Sequence, residues 1–214
     1  MKKPFMLVVL GLVVLVALVL AKGFLAKPRI VSAEITKDCK LLVTTSLGER
    51  KTAADIFDRG YGDVVGCREG LVTRVSPSGR YVAFEDVSGG VDSMTRIYSL
   101  EQDRTTTLSV TGTSVIADME FLPDDRLALL NGYPGSDEYH LGVSDIPQLY
   151  ERYDDFLLPL EDIYYFADTT VKSLDLPRRG LEYEDVEVSS GEIKVYEKGA
   201  DEPAVVFVIS QLFK

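Results

Sequence analysis

The chain opens with an unbroken apolar run. Residues Pro4–Ala21 contain no charged side chain, and Lys2 and Lys3 directly precede them. As a helix rising ~1.5 Å per residue, the run is about 27 Å long, close to the ~30 Å hydrocarbon core of a bilayer. It predicts an N-terminal signal anchor, a transmembrane helix within residues 1–27. A cleaved signal peptide is the alternative, because the short basic start and Ala21 at the end of the run also fit one.

Downstream of this run, apolar and polar positions alternate over short stretches typical of β-strands. Gly, Pro, Ser and Asp separate the stretches, as they do in turns. Helical periodicity is scarce: residues 52–58 fit one helical turn or a strand, and residues 145–152 fit a short helix or a loop. We therefore expect a single all-β domain over residues 28–214. The predicted strands are Lys40–Thr44, Leu71–Val75, Arg80–Phe84, Arg96–Leu100, Arg126–Leu130, Ile193–Tyr196 and Ala204–Ile209.

Turn residues predict how some of these strands connect. Pro77–Gly79 presets a tight turn with proline and offers glycine for the left-handed position, which favours antiparallel strands on either side. Residues 192–197 and 203–209 form a second predicted hairpin. The run Ala204–Ile209 has no polar alternation. It predicts a strand that is covered on both faces.

A turn-strand unit recurs along the chain. Residues Thr36–Thr44, Ser76–Phe84 and Leu122–Leu130 align with one another at intervals of about 40 and 46 residues, a period typical of four-stranded propeller blades. Together with the strands at Thr95–Leu100 and Arg104–Leu108, the unit resembles a blade of the TolB-type or WD-like beta-propellers.

The resemblance covers about residues 36–146 and implies blade-like antiparallel sheets, which commonly build binding surfaces. The carboxy-terminal third departs from the pattern. Residues 28–214 would hold only about four blades, the lower limit for closing a ring. A small or incomplete beta-propeller is therefore expected, with an open sheet or a sandwich as alternatives.

The net charge of the chain limits the classes of macromolecule that the domain is expected to bind. The chain carries a formal charge of −11, although four of its lysines fall within the first 27 residues. An acidic domain repels nucleic acid and anionic lipid, so we expect no nucleic-acid partner. Contact with membrane lipid is expected only through residues 4–21. The acidic excess serves solubility, or alternatively recognition of a basic partner.

Cys39 and Cys67 are the only cysteines. In an oxidising compartment an even pair favours one disulfide, which would close a loop of about 28 residues and contribute ~3 kcal/mol in the chain-entropy model. Two buried free thiols are the alternative.

Catalytic signatures are scarce, and we assign no catalytic, cofactor-binding or metal-ligating residue. His140 is the single histidine, and with two cysteines it cannot complete the usual four-ligand zinc set. No Gly-x-Ser-x-Gly elbow surrounds a serine, and Gly60–Gly66 lacks the lysine of a phosphate-binding loop. The many adjacent carboxylates do not follow the spacing of a calcium loop, which indicates a solvated surface.

Residues 149–166 differ from the rest of the chain, because aromatic residues are interleaved with acidic ones there. Aromatic side chains supply much of the binding energy at protein interfaces, although they also fill cores. The candidate partner-binding aromatics are Tyr150, Tyr153, Phe156, Tyr164 and Tyr165.

These features together predict a membrane-anchored protein that binds macromolecular partners in the cell envelope without enzymatic turnover. A three-residue tail ahead of one apolar segment is typical of an export signal, which places the domain in the periplasm or at the cell exterior. Secretion after signal-peptide cleavage is the alternative location. A carboxylate-dependent envelope hydrolase and a structural accessory subunit of a membrane complex are the alternative functions.

Overall fold

The computed structural model consists mostly of β-strands. It describes residues 27–56, 71–86, 94–108, 115–132, 139–152, 170–176 and 182–212. The strands are β1 (Ile30–Ile35), β2 (Lys40–Thr45), β3 (Arg50–Asp55), β4 (Thr73–Val75), β5 (Tyr81–Asp86), β6 (Met94–Ser99), β7 (Arg104–Leu108), β8 (Val115–Phe121), β9 (Leu127–Gly132), β10 (Tyr139–Ser144), β11 (Thr170–Asp175), β12 (Tyr183–Ser189), β13 (Glu192–Glu197) and β14 (Val205–Val208). Two short helices are α1 (Ile146–Arg152) and α2 (Ile209–Leu212). The prediction of a mostly β fold is confirmed.

The strands form four antiparallel sheets, each built from strands that are consecutive in the chain. Sheet A contains β1 to β3, sheet B contains β4 to β7, sheet C contains β8 to β11 and sheet D contains β12 to β14. The order across each sheet is the order along the chain. Antiparallel neighbours of this kind need no crossover connection, so each sheet is a local unit.

Three apolar clusters join the four sheets. The first cluster combines residues of sheets A and B, the second combines sheets B and C, and the third combines sheets C and D. Helix α1 adds Ile146 and Tyr150 to the second cluster. The sheets therefore stack face to face in chain order, with a separate core at each junction.

Strand β5 contributes to two of these cores at once. Val82 and Phe84 belong to the cluster shared with sheet A, whereas Tyr81 and Ala83 belong to the cluster shared with sheet C. Side chains alternate across a strand, so this division follows from the pleat. Strand β9 behaves in the same way, and all of its residues are buried.

The three aligned turns have the same backbone conformation. In each, an amide donates to the carbonyl three residues earlier: Cys39 to Thr36 at 2.9 Å, Gly79 to Ser76 at 2.8 Å and Asp125 to Leu122 at 3.0 Å. The donating residue has a positive φ in every case, at 62°, 71° and 65° respectively. Glycine adopts this region freely, whereas cysteine and aspartate adopt it at a cost.

The first strands of the four sheets are neighbours. Strand β1 contacts β4, β4 contacts β8, and β8 contacts β12. Ile30 also donates its amide to the carbonyl of Gly79 at 2.7 Å, which joins β1 to the turn between β4 and β5. The four first strands therefore lie in a row. The candidate site is found in this row, where β4, β8 and β12 of sheets B, C and D come together.

The two segments of ambiguous periodicity, residues 52–58 and 145–152, contain a strand and a helix respectively. Residues 50–55 form strand β3, residues 57 and 58 lie outside the described residues, and residues 146–152 form helix α1. Asp145 caps the helix, because its Oδ1 accepts the amide of Gln148 at 2.9 Å. The predicted hairpin of residues 192–197 and 203–209 is confirmed by the pairing of β13 with β14.

Strand β14 corrects one prediction. Residues 204–209 were expected to be covered on both faces, but Val206 and Val208 are 44% and 36% exposed. Val205 and Phe207, on the other face, pack against the third cluster. The physical reason is position: β14 lies at one edge of sheet D, and sheet D is the last of the stack.

The predicted membrane anchor lies outside the described residues, which begin at Lys27. Within the described residues, no helix has both the length and the apolar character needed to cross a membrane.

Cys39 takes part in a disulfide bond and is buried. Cys67, the other cysteine of the chain, lies outside the described residues. The bond between these two cysteines therefore stays a prediction.

Replacing Gly79 by alanine tests the junction of sheets A and B. A Cβ at this position would lie 2.8 Å from both the Cβ of Arg29 and the carbonyl oxygen of Ile30, in addition to straining the positive φ. We expect a loss of about 2 kcal/mol in the free energy of unfolding, measured by chemical denaturation.

The matched control is Gly48→Ala. Gly48 has a similar φ of 79°, but nothing lies within 4 Å of its added Cβ. The control should show only the backbone penalty of about 1 kcal/mol. Equal losses in the two variants would mean that the contact with β1 contributes nothing.

Candidate functional site

An arginine joins two sheets at the row of first strands. Arg74 of β4 donates from Nη2 to Oδ1 of Asp118 and from Nε to Oε2 of Glu120, both at 2.8 Å. Both carboxylates belong to β8, where residues two apart point to the same face. The Asp118 side chain is only 6% exposed, whereas those of Arg74 and Glu120 are each 35% exposed. The charge-assisted contacts offset only part of the cost of burying Asp118.

Asp118 also reaches the fourth sheet. Its Oδ2 accepts the amide of Val186 of β12 at 3.1 Å, and its carboxyl group shares a hydrogen bond with Asp185. One side chain of sheet C is thereby tied to both neighbouring sheets. We call Arg74, Asp118, Glu120 and Asp185 the ionic cluster.

Local irregularities in the strands accompany this arrangement. The pairing of β8 with β9 shifts register between Ile116 and Asp118, and the pairing of β12 with β13 shifts between Tyr183 and Asp185. Such a bulge bends a strand and redirects the side chain that follows it. Both carboxyl groups that share the hydrogen bond come directly after a bulge.

The environment of Asp118 favours its protonated form. Burial raises its pKa to about 7, and the hydrogen bond with Asp185 acts in the same direction. The amide of Val186 and the charge of Arg74 oppose this rise without cancelling it. Asp118 therefore exchanges its proton near neutral pH, which is unusual for a carboxyl group.

A cleft of about 500 Å³ opens beside the ionic cluster, between sheets C and D. We call it the acidic cleft, since four acidic residues contribute to its wall, three of them besides Asp118. A wall of this charge attracts cationic groups and repels anions. It is lined by Ala117, Asp118, Glu184, Asp185, Tyr196, Glu197, Gly199 and Ala200.

Of the predicted partner-binding aromatics, only Tyr150 lies within the described residues. Tyr150 is buried, its hydroxyl donates to the carbonyl of Ile97 at 2.6 Å, and its ring stacks on Tyr81 with centroids 5.5 Å apart. It therefore belongs to the core, the alternative that the sequence left open. The remaining four, Tyr153, Phe156, Tyr164 and Tyr165, lie outside the described residues.

His140 lies on β10 with an exposed side chain. It pairs across the strands with Asn131 of β9 and Asp175 of β11. In the described part of the chain, no group of three His, Cys, Asp or Glu residues is arranged to hold a metal ion. The glycine-rich segment Gly60–Gly66 lies outside that part.

The ionic cluster was not predicted from the sequence, although a signal was present. Asp118 and Glu120 interrupt the apolar strand β8, and a buried acid needs a partner. Arg74 lies 46 residues before Glu120, close to the interval of the repeated turns. A charge inside a repeated strand could thus have pointed to the matching strand of the preceding repeat.

Comparison of the chain with protein-family models finds no family that matches it. Comparison with curated proteins finds no significant match either.

The raised pKa of Asp118 predicts a specific pH dependence of stability. The unfolded carboxyl group titrates near 3.8 and the folded one near 7, so between these values the folded chain binds more protons. The stabilising contribution is complete below the lower value and is lost as the pH rises through the upper one. The free energy of unfolding of the wild type, relative to Asp118→Asn, should therefore fall by about 1 to 2 kcal/mol between pH 5 and pH 7.5.

Asp124→Asn is the matched control. Partial burial acts to raise the pKa of Asp124, but its contacts with Arg126 outweigh burial and hold that pKa below its usual value. This carboxyl group stays ionised across the range, so its variant should follow the wild-type pH profile. A profile for Asp118→Asn parallel to that of the wild type would contradict the assignment.

Proposed function

We propose that this protein is anchored to a membrane and binds macromolecular partners of the cell envelope, without enzymatic turnover. The observation that carries the proposal is the stack of four antiparallel sheets, with three separate cores and adjacent first strands. Such a scaffold holds its surface side chains rigidly, which lowers the entropic cost of binding.

The finer architecture belongs to the same proposal. Each sheet is blade-like, in keeping with the resemblance to TolB-type and WD-like beta-propellers. Strands β5 and β9 of the middle sheets are buried on both faces, whereas β2 and β13 of the end sheets alternate. Buried and half-buried residues alternate along a strand when only one face of its sheet is fully covered by a neighbouring sheet. We therefore favour an open stack of blades over a closed ring.

The acidic cleft is the proposed contact surface for the partner. Its carboxylates and the formal charge of −11 favour a partner that presents lysine or arginine side chains. The predicted anchor at residues 4–21 would hold this surface near the membrane, on the side away from the cytoplasm.

Charge reversal in the acidic cleft tests the binding proposal. The full chain, tagged at its carboxyl end, is cross-linked in membranes and recovered with its partners. We expect Glu184→Lys to reduce partner recovery about tenfold, because it opposes a basic partner at the cleft. Protease protection of the tag in sealed cells reports separately on which side of the membrane the domain lies.

Glu49→Lys is the matched control, since Glu49 is also exposed but lies in the turn between β2 and β3. It should leave partner recovery unchanged. Equal effects of the two variants, or recovery of no reproducible partner by the wild type, would remove the binding proposal.

One observation favours a second candidate, a carboxylate-dependent hydrolase. Asp118, with a pKa of about 7, lies beside Asp185 at the wall of the acidic cleft, and a protonated and an ionised carboxyl group can serve as general acid and base. Against it, Asp118 is only 6% exposed and is already bound by Arg74 and Val186.

A substrate panel separates the two candidates. The purified full chain in neutral detergent is incubated with glycan oligosaccharides, and product formation is followed by mass spectrometry. We expect no turnover. Turnover that falls at least a hundredfold in Asp185→Asn would instead establish the hydrolase and overturn the binding proposal.

A further inference from the structure

A second cleft carries the opposite charge to the acidic cleft. It has a volume of about 660 Å³ and lies between the segment that leads into β1 and the turns of sheet B. We call it the basic cleft, because three cationic side chains and one carboxylate line it. Its lining residues are Lys27, Pro28, Arg29, Ser78, Arg80, Leu100 and Glu101.

The backbone around the basic cleft is firmly positioned. Arg29 is joined to Ser46 by two hydrogen bonds: its carbonyl accepts the Ser46 amide at 2.7 Å and its own amide donates to Ser46 Oγ at 3.2 Å. On the opposite wall, Leu100 donates its amide to the carbonyl of Arg80 at 2.9 Å. The close approach of Gly79 to Arg29 brings the two walls together. Both arginines therefore start from fixed backbone positions.

The cations outnumber their partners in this cleft. Glu101 pairs with Arg80 at 3.0 Å and with Lys27 at 3.6 Å, so one carboxylate serves two cations. In the described part of the chain, no carboxylate pairs with the guanidinium of Arg29. The basic cleft is therefore a local region of positive charge on a protein whose formal net charge is −11.

We infer that the basic cleft binds the phosphate of an anionic lipid headgroup. Arginine and lysine side chains arranged around a cavity are the groups that recognise phosphate in proteins. The location favours lipid over a free anion, because Lys27 lies only six residues after Ala21, the end of the segment predicted to lie in the bilayer. The inference rests on the proposed membrane anchor. It also refines the expectation from composition that the domain as a whole repels anionic lipid.

The test uses the full chain in neutral maltoside micelles. Dihexanoyl phosphatidylglycerol is titrated in and binding is followed by calorimetry, with dihexanoyl phosphatidylcholine and inorganic phosphate as parallel arms. We expect saturable binding of the phosphatidylglycerol that weakens as salt is added. Phosphatidylcholine and inorganic phosphate should bind much more weakly.

Variants locate the binding site. Arg29→Gln and Arg80→Gln should each weaken phosphatidylglycerol binding about five- to tenfold, since each removes one charge-assisted donor. Glu101→Gln should strengthen it, because it frees two cations from their shared carboxylate. Lys198→Gln is the control for a lost positive charge, since Lys198 lies in the turn after β13, away from the basic cleft, and pairs with Glu182. It should have no effect.

Three results would overturn the inference. Absence of saturable phosphatidylglycerol binding would remove the site, and an effect of Lys198→Gln equal to that of Arg29→Gln would reduce it to general charge attraction. Inorganic phosphate binding as tightly as the lipid would replace the headgroup by a soluble anion. Because micelles have no sidedness, these results do not depend on topology. Protease protection of the tag tests the proposed location independently.

Discussion

The fold depends on strands whose two faces both have to be buried. Strand β5 divides its residues between two cores, with Phe84 on one side and Tyr81 on the other. Because residues Tyr81–Phe84 are apolar on both faces, an alternation of polar and apolar side chains does not fix the register within this stretch. The turn must do so. In β5 the left-handed Gly79 and its contact with Ile30 set where the strand begins.

Polar links then determine how neighbouring sheets are oriented, which apolar packing alone leaves loosely specified. On the row of first strands, Arg74 and Asp118 tie sheets B, C and D together. Sheets A and B are also joined through Asp103, which lies between β6 and β7 and accepts both Lys51 Nζ at 2.8 Å and the Tyr98 hydroxyl at 2.7 Å. These contacts hold the pKa of Asp103 below its usual value. Such links give geometric specificity at modest net energy.

The sequence predicted strands such as β5 and β9 but not β1, β8, β10, β11 or β12, and it predicted their tertiary environment less well. Turn chemistry located the hairpin at Pro77–Gly79 and the one between residues 197 and 203 because turn residues such as proline and glycine act locally, before any core exists. Burial of β14 was misjudged, since an apolar run reports the composition of a strand and not the number of layers that cover it. The ionic cluster was missed for a related reason. Arg74 and Asp118 are 44 residues apart, and only the stacking of sheets B and C brings them together.

The same stacking separates charge along the molecule. The basic cleft lies at the junction of sheets A and B, next to the start of the described chain, whereas the acidic cleft lies at the junction of sheets C and D. A chain whose only selected property was solubility would not need to segregate its charges in this way. If the proposed anchor is correct, the cations beside it would favour attachment at one end, and the carboxylates at the far end would keep that end away from an anionic bilayer. The two clefts together would thus orient the stack, with the proposed partner-binding end directed outward from the membrane.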